Sequence, residues 1–285
     1  MLTTAHDCLN KLEDTDLVIF DCRFALDQPD KGRQEYQRGH IPDAIYADLN
    51  QDLSAPVVKG VTGRHPLPDS ETWQATLEHW GVKPDSKVIA YDDAGGAYAA
   101  RLWWMLKWVG HHDVAVMDGG WNAWLEAGYP VTDDIPETTT SHYPVKTDNT
   151  MIVTASDLLN QLDTPNLIML DARGEQRFRG EVEPIDPVAG HIPGAACHPF
   201  TNNLDSGGRF KSAEELRQGL RSSLPKAINS SGEQTKIVCY CGSGVTACNN
   251  ILAATLAGMP MPLLYAGSWS DWITDSNRPI ALGDD

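Results

Sequence analysis

Short apolar runs set between polar turns recur along the chain. Leu17-Val-Ile-Phe-Asp21, Leu167-Ile-Met-Leu-Asp171 and Ile237-Val-Cys-Tyr240 are too brief for helices, and their apolar and β-branched content reads as buried strands. Longer stretches between them carry apolar residues at helical spacing. Residues 69–80 have acids early and stop at Gly81, while Ser212 with Glu215 three positions on forms a capping-box start. Strands alternating with helices predict α/β units on a mostly parallel sheet, flanked by helices.

The pattern occurs twice. Gly39-His-Ile-Pro-Asp-Ala44 returns as Gly190-His-Ile-Pro-Gly-Ala195, and Lys87-Val-Ile-Ala-Tyr91 as Lys236-Ile-Val-Cys-Tyr240. Asp118-Gly-Gly-Trp-Asn-Ala-Trp124 returns as Ala266-Gly-Ser-Trp-Ser-Asp-Trp272. A constant offset of roughly 150 residues means duplicated domains rather than a solenoid of short repeats. Residues 1–135 and 151–285 are therefore expected to be two copies of one fold. Residues 136–150 form the linker, within a polar, Thr-rich and Pro-punctuated stretch.

Composition narrows the partners. With 22 basic against 39 acidic residues the net charge is −17, which argues against nucleic acid and anionic membrane surfaces. A small anionic substrate then requires a locally positive pocket. Six cysteines at irregular spacing do not suggest a disulfide scaffold. The first residues show no basic-then-apolar leader, and the apolar stretch 102–109 is interrupted by Lys107 and falls short of the ~20 residues of a membrane span. A cytoplasmic protein is expected.

The candidate chemistry lies where the strand ending at Tyr240 meets Cys241-Gly-Ser-Gly-Val-Thr246 and then a helix. Amides of a Gly-rich turn and the open N-terminus of the next helix make a concave site of positive potential, which stabilises a thiolate and makes Cys241 nucleophilic near neutral pH. Cys239, inside the strand, reads instead as a small buried hydrophobe. In the first copy, Asp92 stands opposite Cys241. An aspartate in an anion-cradling loop is a poor nucleophile for soft chemistry, so the first copy is expected to be catalytically silent.

These elements together resemble the two-domain rhodanese-type sulfurtransferases over nearly the whole chain. The resemblance implies tandem rhodanese-like domains with an inactive first copy, and a six-residue catalytic loop of Cys241, Gly242, Ser243, Gly244, Val245 and Thr246. It implies sulfane sulfur carried as a persulfide on Cys241, with the loop amides and Thr246 Oγ holding it, and no metal or organic cofactor. The uncharged loop resembles that of the family's mercaptopyruvate-using branch, whereas the thiosulfate-using branch carries loop cations that suit a dianion. The implied donor is thus 3-mercaptopyruvate and the acceptor a thiol, thioredoxin or cyanide, with thiosulfate as the alternative donor. Arg177 is the implied substrate arginine, with Arg179 close by. The second arginine usual just after Glu-Pro in the mercaptopyruvate branch is here Ile185, which leaves Arg179 or Arg173 to replace it. A Ser–His–Asp relay implied for that branch maps to Ser243, His40 and Asp30; alternatively, His40 and His191 bond the backbone of their turns in both copies.

Other readings are weaker. A cysteine phosphatase needs an arginine closing its loop, where Ala247 and Cys248 stand. A non-catalytic sulfur carrier or interaction module would not need Cys241 together with Arg177. A zinc site from Cys239, Cys241 and Cys248 conflicts with strand alternation, which points Cys239 away from Cys241.

Overall fold

The computed structural model describes residues 1–162, 164, 166–224 and 235–284. The chain folds as two compact units. One comprises Met1–Ala55, Leu67–Asn149 and Ser206–Phe210; the other comprises Pro56–Pro66, Thr150–Asp205 and Lys211–Asp285.

The first unit runs β1 (Leu2–Thr3), α1 (Ala5–Leu9), β2 (Leu17–Asp21), α2 (Lys31–Arg38), β3 (Ala44–Tyr46), α3 (Ser70–His79), β4 (Lys87–Tyr91), α4 (Ala99–Trp108), β5 (Val114–Met117) and α5 (Gly120–Glu126). The second runs α6 (Ala155–Leu159), β6 (Leu167–Asp171), α7 (Glu175–Phe178), β7 (Ala196–Cys197), α8 (Ala213–Ser223), β8 (Lys236–Tyr240), α9 (Ala247–Leu256), β9 (Leu263–Leu264) and α10 (Ser268–Trp272). Strand order is β1-β5-β4-β2-β3 in the first unit and β7-β6-β8-β9 in the second, every pair parallel. The apolar runs are thus central strands, covered on both faces as a parallel sheet requires.

The apolar stretch at 102–109 is mostly α4, buried around nearly its whole circumference, with Trp103 and Trp104 fully enclosed. Among the described residues, no helix is long and apolar enough to cross a membrane. The stretch read as a linker lies along the first unit: Ser141 N–H donates to Glu78 O, Tyr143 is buried, and Asp148 N–H donates to Trp108 O.

The repeated motifs form the same frame in each unit. Asp21 ends β2 and its buried carboxylate takes a fork from Arg23, whose Nη2 also donates to Gly39 O at 2.8 Å. Asp171, Arg173 and Gly190 O repeat this, with the last bond at 2.7 Å. Each arginine lies over a tryptophan, Arg23 on Trp121 and Arg173 on Trp269. His40 Nδ1 bonds Tyr36 O and its ring stacks on Tyr36; His191 Nδ1 bonds Phe178 O and stacks on Phe178. A buried imidazole that spends ring nitrogens on carbonyls pins a turn, and that is why the Gly-His-Ile-Pro element occurs twice.

Candidate active site

In the first unit the loop after β4 is filled by its own anion. Asp92, 1% exposed, receives the amides of Ala94 and Gly96 at 2.9 Å on one oxygen and those of Tyr98 and Ala99 at 2.8 Å on the other. Burial pushes its carboxyl above the usual range, and these four donors pull against that shift. The cradle works as the turn chemistry predicts, but a side-chain carboxylate occupies it.

In the second unit Cys241 takes that place at the end of β8. Its sulfur accepts N–H bonds from Gly244 at 3.1 Å and Ser243 at 3.5 Å. Its own amide donates to Ser268 Oγ at 3.0 Å, and its carbonyl accepts from Trp269 N–H at 2.9 Å. Gly244 has φ of +77°, and a side chain there would put its first carbon 2.3 Å from Ala266 O, so only glycine fits. Val245 is buried, and Thr246 is the N-cap of α9 with no side-chain capping bond. Within residues 241–246 it is the amides of Ser243 and Gly244 that turn toward the Cys241 sulfur. Cys239 is wholly enclosed, and burial raises its thiol far from reactivity.

Arg177, on α7, faces this loop. A carbon added at Gly242 would lie 3.6 Å from its Nη2 and 3.7 Å from its Nη1. Its Nε and Nη2 fork onto Glu183 at 2.8–3.1 Å, and Nη2 also reaches Asp186 at 3.1 Å. Burial opposes the charge on Glu183, yet the Arg177 fork and the amides of Asp186 and Ile185 hold its carboxyl below the usual range.

Two residues outside the sequence reading complete the site, and both come from the Pro56–Pro66 segment. Arg64 Nη2 would lie 3.1 Å from a carbon added at Gly242, while its Nη1 holds Asp186 at 2.6 Å. His65 Nδ1 stands 2.7 Å from Ser243 Oγ. The segment is anchored through Ser270: Arg64 N–H donates to Ser270 Oγ, and Ser270 N–H donates to Gly242 O.

Three expectations change. Ser243 meets His65 and not His40, whose ring nitrogens both go to carbonyls, of Tyr36 and Asp134. Asp30 is exposed at the start of α2 and makes no side-chain capping bond. Arg179 is a surface residue, paired to Glu181 at 2.9 Å and near Glu175 and Asp284, because the helical turn at the end of α7 carries its side chain outward. Arg173 is likewise spent, on Asp171, Gly190 O and Glu183. The second guanidinium beside Gly242 is that of Arg64, which shares Asp186 with Arg177. Its signal in the sequence was an adjacent Arg-His pair between glycine and proline, matched in the second copy by Gly208-Arg209-Phe210.

A cysteine whose sulfur accepts loop amides, two guanidiniums beside Gly242, and an aspartate in the matching loop of a second copy make up the arrangement expected of a two-domain rhodanese. The rhodanese-like domain model matches residues 4–127 and 154–275, and the chain belongs to that family. Among its relatives, the "Probable 3-mercaptopyruvate sulfurtransferase" of Pseudomonas aeruginosa is 51% identical, over 99% of this chain and 98% of that one. Thiosulfate sulfurtransferase of Gallus gallus is 32% identical over 90% and 86% of the two chains. The crystal structure of SseA from Escherichia coli, described as a 3-mercaptopyruvate sulfotransferase of rhodanese fold, superposes with a TM-score of 0.81 at 30% identity over 94% of this chain and 98% of that one.

Proposed function

We propose that this protein is a sulfurtransferase that takes sulfane sulfur from 3-mercaptopyruvate and passes it to a thiol, with Cys241 as the carrier. The observation that carries the reading is the Cys241 sulfur, held by two loop amides in an uncharged loop with Arg64 and Arg177 beside Gly242.

The chemistry proceeds in two half-reactions. The Cys241 thiolate attacks the donor sulfur, forming an S–S bond as the carbon–sulfur bond breaks. The released electron pair becomes an enolate on the departing three-carbon acid, and one proton at carbon gives pyruvate. The two arginines hold the donor's carboxylate through N–H bonds. Ser243 Oγ, held by His65 at 2.7 Å, donates to the carbonyl oxygen on which negative charge builds. The terminal sulfur of the persulfide then rests on the loop amides. In the second half-reaction an acceptor thiol, thioredoxin among the candidates, attacks that sulfur, and Cys241 leaves as the thiolate. The implied compartment is the cytoplasm, where thiol acceptors stay reduced.

Mass spectrometry of the protein after exposure to 3-mercaptopyruvate tests this. A mass gain of one sulfur atom, about 32 Da, on Cys241 is expected, lost on adding dithiothreitol and absent from Cys241→Ser. An unmodified Cys241, or turnover retained by Cys241→Ser, rejects the proposal.

A further inference from the structure

The charged groups beside Gly242 form a closed chain. Asp186 bridges the arginines, one carboxylate oxygen on Arg64 Nη1 at 2.6 Å and the other on Arg177 Nη2 at 3.1 Å, while Glu183 takes the Arg177 fork. The acids are almost completely enclosed, with side chains 4% and 3% exposed for Glu183 and Asp186. Counting Arg173, which touches Glu183 at 3.4 Å and is itself paired to Asp171, three guanidinium charges face three carboxylates, and the cluster is formally neutral. Loop residues 241–246 add no charge. The two acids differ in their ties. Glu183 also accepts the amides of Ile185 and Asp186 and touches Arg173, so it shapes the turn. The Asp186 carboxylate, among the described residues, bonds the two guanidiniums.

We infer that Asp186 sets the choice of sulfur donor: by cancelling the charge of the Arg64–Arg177 pair, it leaves a site that binds a monoanionic α-keto carboxylate through directed N–H bonds and discriminates against a compact dianion such as thiosulfate. This rests on the sulfur-transfer reading above. The two donor classes draw on different interactions. A planar carboxylate is recognised by the geometry of guanidinium N–H groups, which survives neutralisation of the site. A dianion gains from net positive charge, and the gain scales with that charge and grows as water is excluded. Each arginine also keeps an N–H edge beside Gly242, and Arg64 Nε is buried with no hydrogen-bond partner among the described residues. Asp186 thus orients the two cations and cancels their field while leaving donor groups unspent. It is a positioning residue and touches no reacting atom.

The test is Asp186→Asn, which keeps the shape and one acceptor oxygen but removes the charge. kcat/KM is measured for thiosulfate and for 3-mercaptopyruvate with dithiothreitol as a neutral acceptor, at low and high ionic strength. The thiosulfate-to-mercaptopyruvate ratio is expected to rise at least about tenfold in the variant, the rise shrinking as salt screens the added charge. A merely structural loss lowers both donors and leaves the ratio in place, so a ratio unchanged within about twofold, or moved toward mercaptopyruvate, overturns the assignment. Should the variant not fold, competition on the wild-type enzyme decides. Pyruvate is expected to inhibit mercaptopyruvate turnover at least about tenfold more tightly than sulfate, and equal or reversed potency overturns the assignment. If the wild-type protein turns over neither donor, the sulfur-transfer reading itself fails. Wild-type turnover with an unmoved ratio fails Asp186 alone.

Discussion

Ser243 shows how one hydroxyl acquires a role from its neighbours. It is nearly enclosed, its amide points at the Cys241 sulfur, and its hydroxyl lies 2.7 Å from the His65 ring. A hydroxyl fixed by an imidazole is oriented before the donor arrives, so the cost of orienting it does not fall on the reaction step. That help applies to a donor whose carbonyl gathers charge, and thiosulfate has no such carbonyl. Ser243→Ala is expected to lower kcat with 3-mercaptopyruvate by about 10²-fold, as for loss of one donor to a developing oxyanion. Turnover with thiosulfate is expected to stay within a few-fold, and steady-state assays with both donors on one preparation read the split. At this scale Cys241 was marked as a candidate by its local strand–glycine turn–helix unit, and Arg177 by the resemblance of its Arg-Phe-Arg-Gly run to that of the family. His65 was not. Its partner Ser243 lies 178 positions away, and no local periodicity encodes that meeting.

At the scale of elements, the active loop is held by two supports. One is the N-terminus of α10, where Trp269 N–H and Ser270 N–H donate to the carbonyls of Cys241 and Gly242, each at 2.9 Å. The other is the segment through Gly63-Arg64-His65, docked on the same helix. A side chain on Gly63 would put its first carbon 2.5 Å from Gly267 O and 2.9 Å from Ser270 Oγ, so the backbone approaches α10 too closely for any other residue. Gly63→Ala is expected to push Arg64 and His65 out of register and lower kcat/KM by about 10-fold or more, since misplacement near 1 Å costs up to about 10²-fold. Gly60 is the control: its φ is +78°, and nothing lies within 4 Å of an added carbon. Gly60→Ala is expected to cost about 1 kcal/mol of stability from left-handed strain and to leave kcat/KM unchanged. Thermal unfolding and initial rates on both variants separate the two effects. The central strands β2, β4, β6 and β8 follow from short apolar runs, but the Pro56–Pro66 segment carries no such run, and its place in the second unit comes from packing.

For the molecule as a whole, each unit repeats one frame of Asp–Arg fork, stacked histidine and buried tryptophan, and differs in what fills the loop. The first unit stores its own anion there, and it carries a second acid that burial disfavours. Burial pushes Asp52 up to about 6, with the nearby Asp48 charge acting in the same direction and the Asp48 amide opposing it. The folded chain therefore holds a proton on Asp52 between roughly pH 4 and 6 that the unfolded chain has already released. Stability from this group is present below about pH 4 and is lost as pH rises through about 6. Asp52→Asn is expected to raise the unfolding free energy by about 1–3 kcal/mol at pH 7.5 and to change it little at pH 4. Denaturant titrations at the two pH values give the difference, and an equal effect at both removes the charge as its cause. Asp48 N–H donates to Asp52 Oδ2 at 2.7 Å, a bond that the asparagine carbonyl can also accept.

The sequence by itself determined the duplication, the parallel α/β class and the exchange of Cys241 for Asp92 between the two matching loops. Each of these is written in local periodicity, turn chemistry or a comparison of the chain with itself. Tertiary structure alone decided the companions of that cysteine. His65 displaced His40 beside Ser243, Arg64 took the second cationic place that Ile185 leaves open, and Asp186 joined the two arginines. The physical reason is the same in each case. Hydrogen bonds and ion pairs form between groups that packing brings together, and Arg64 and His65 reach Asp186 and Ser243 across 122 and 178 positions of chain whose own pattern records only the fold.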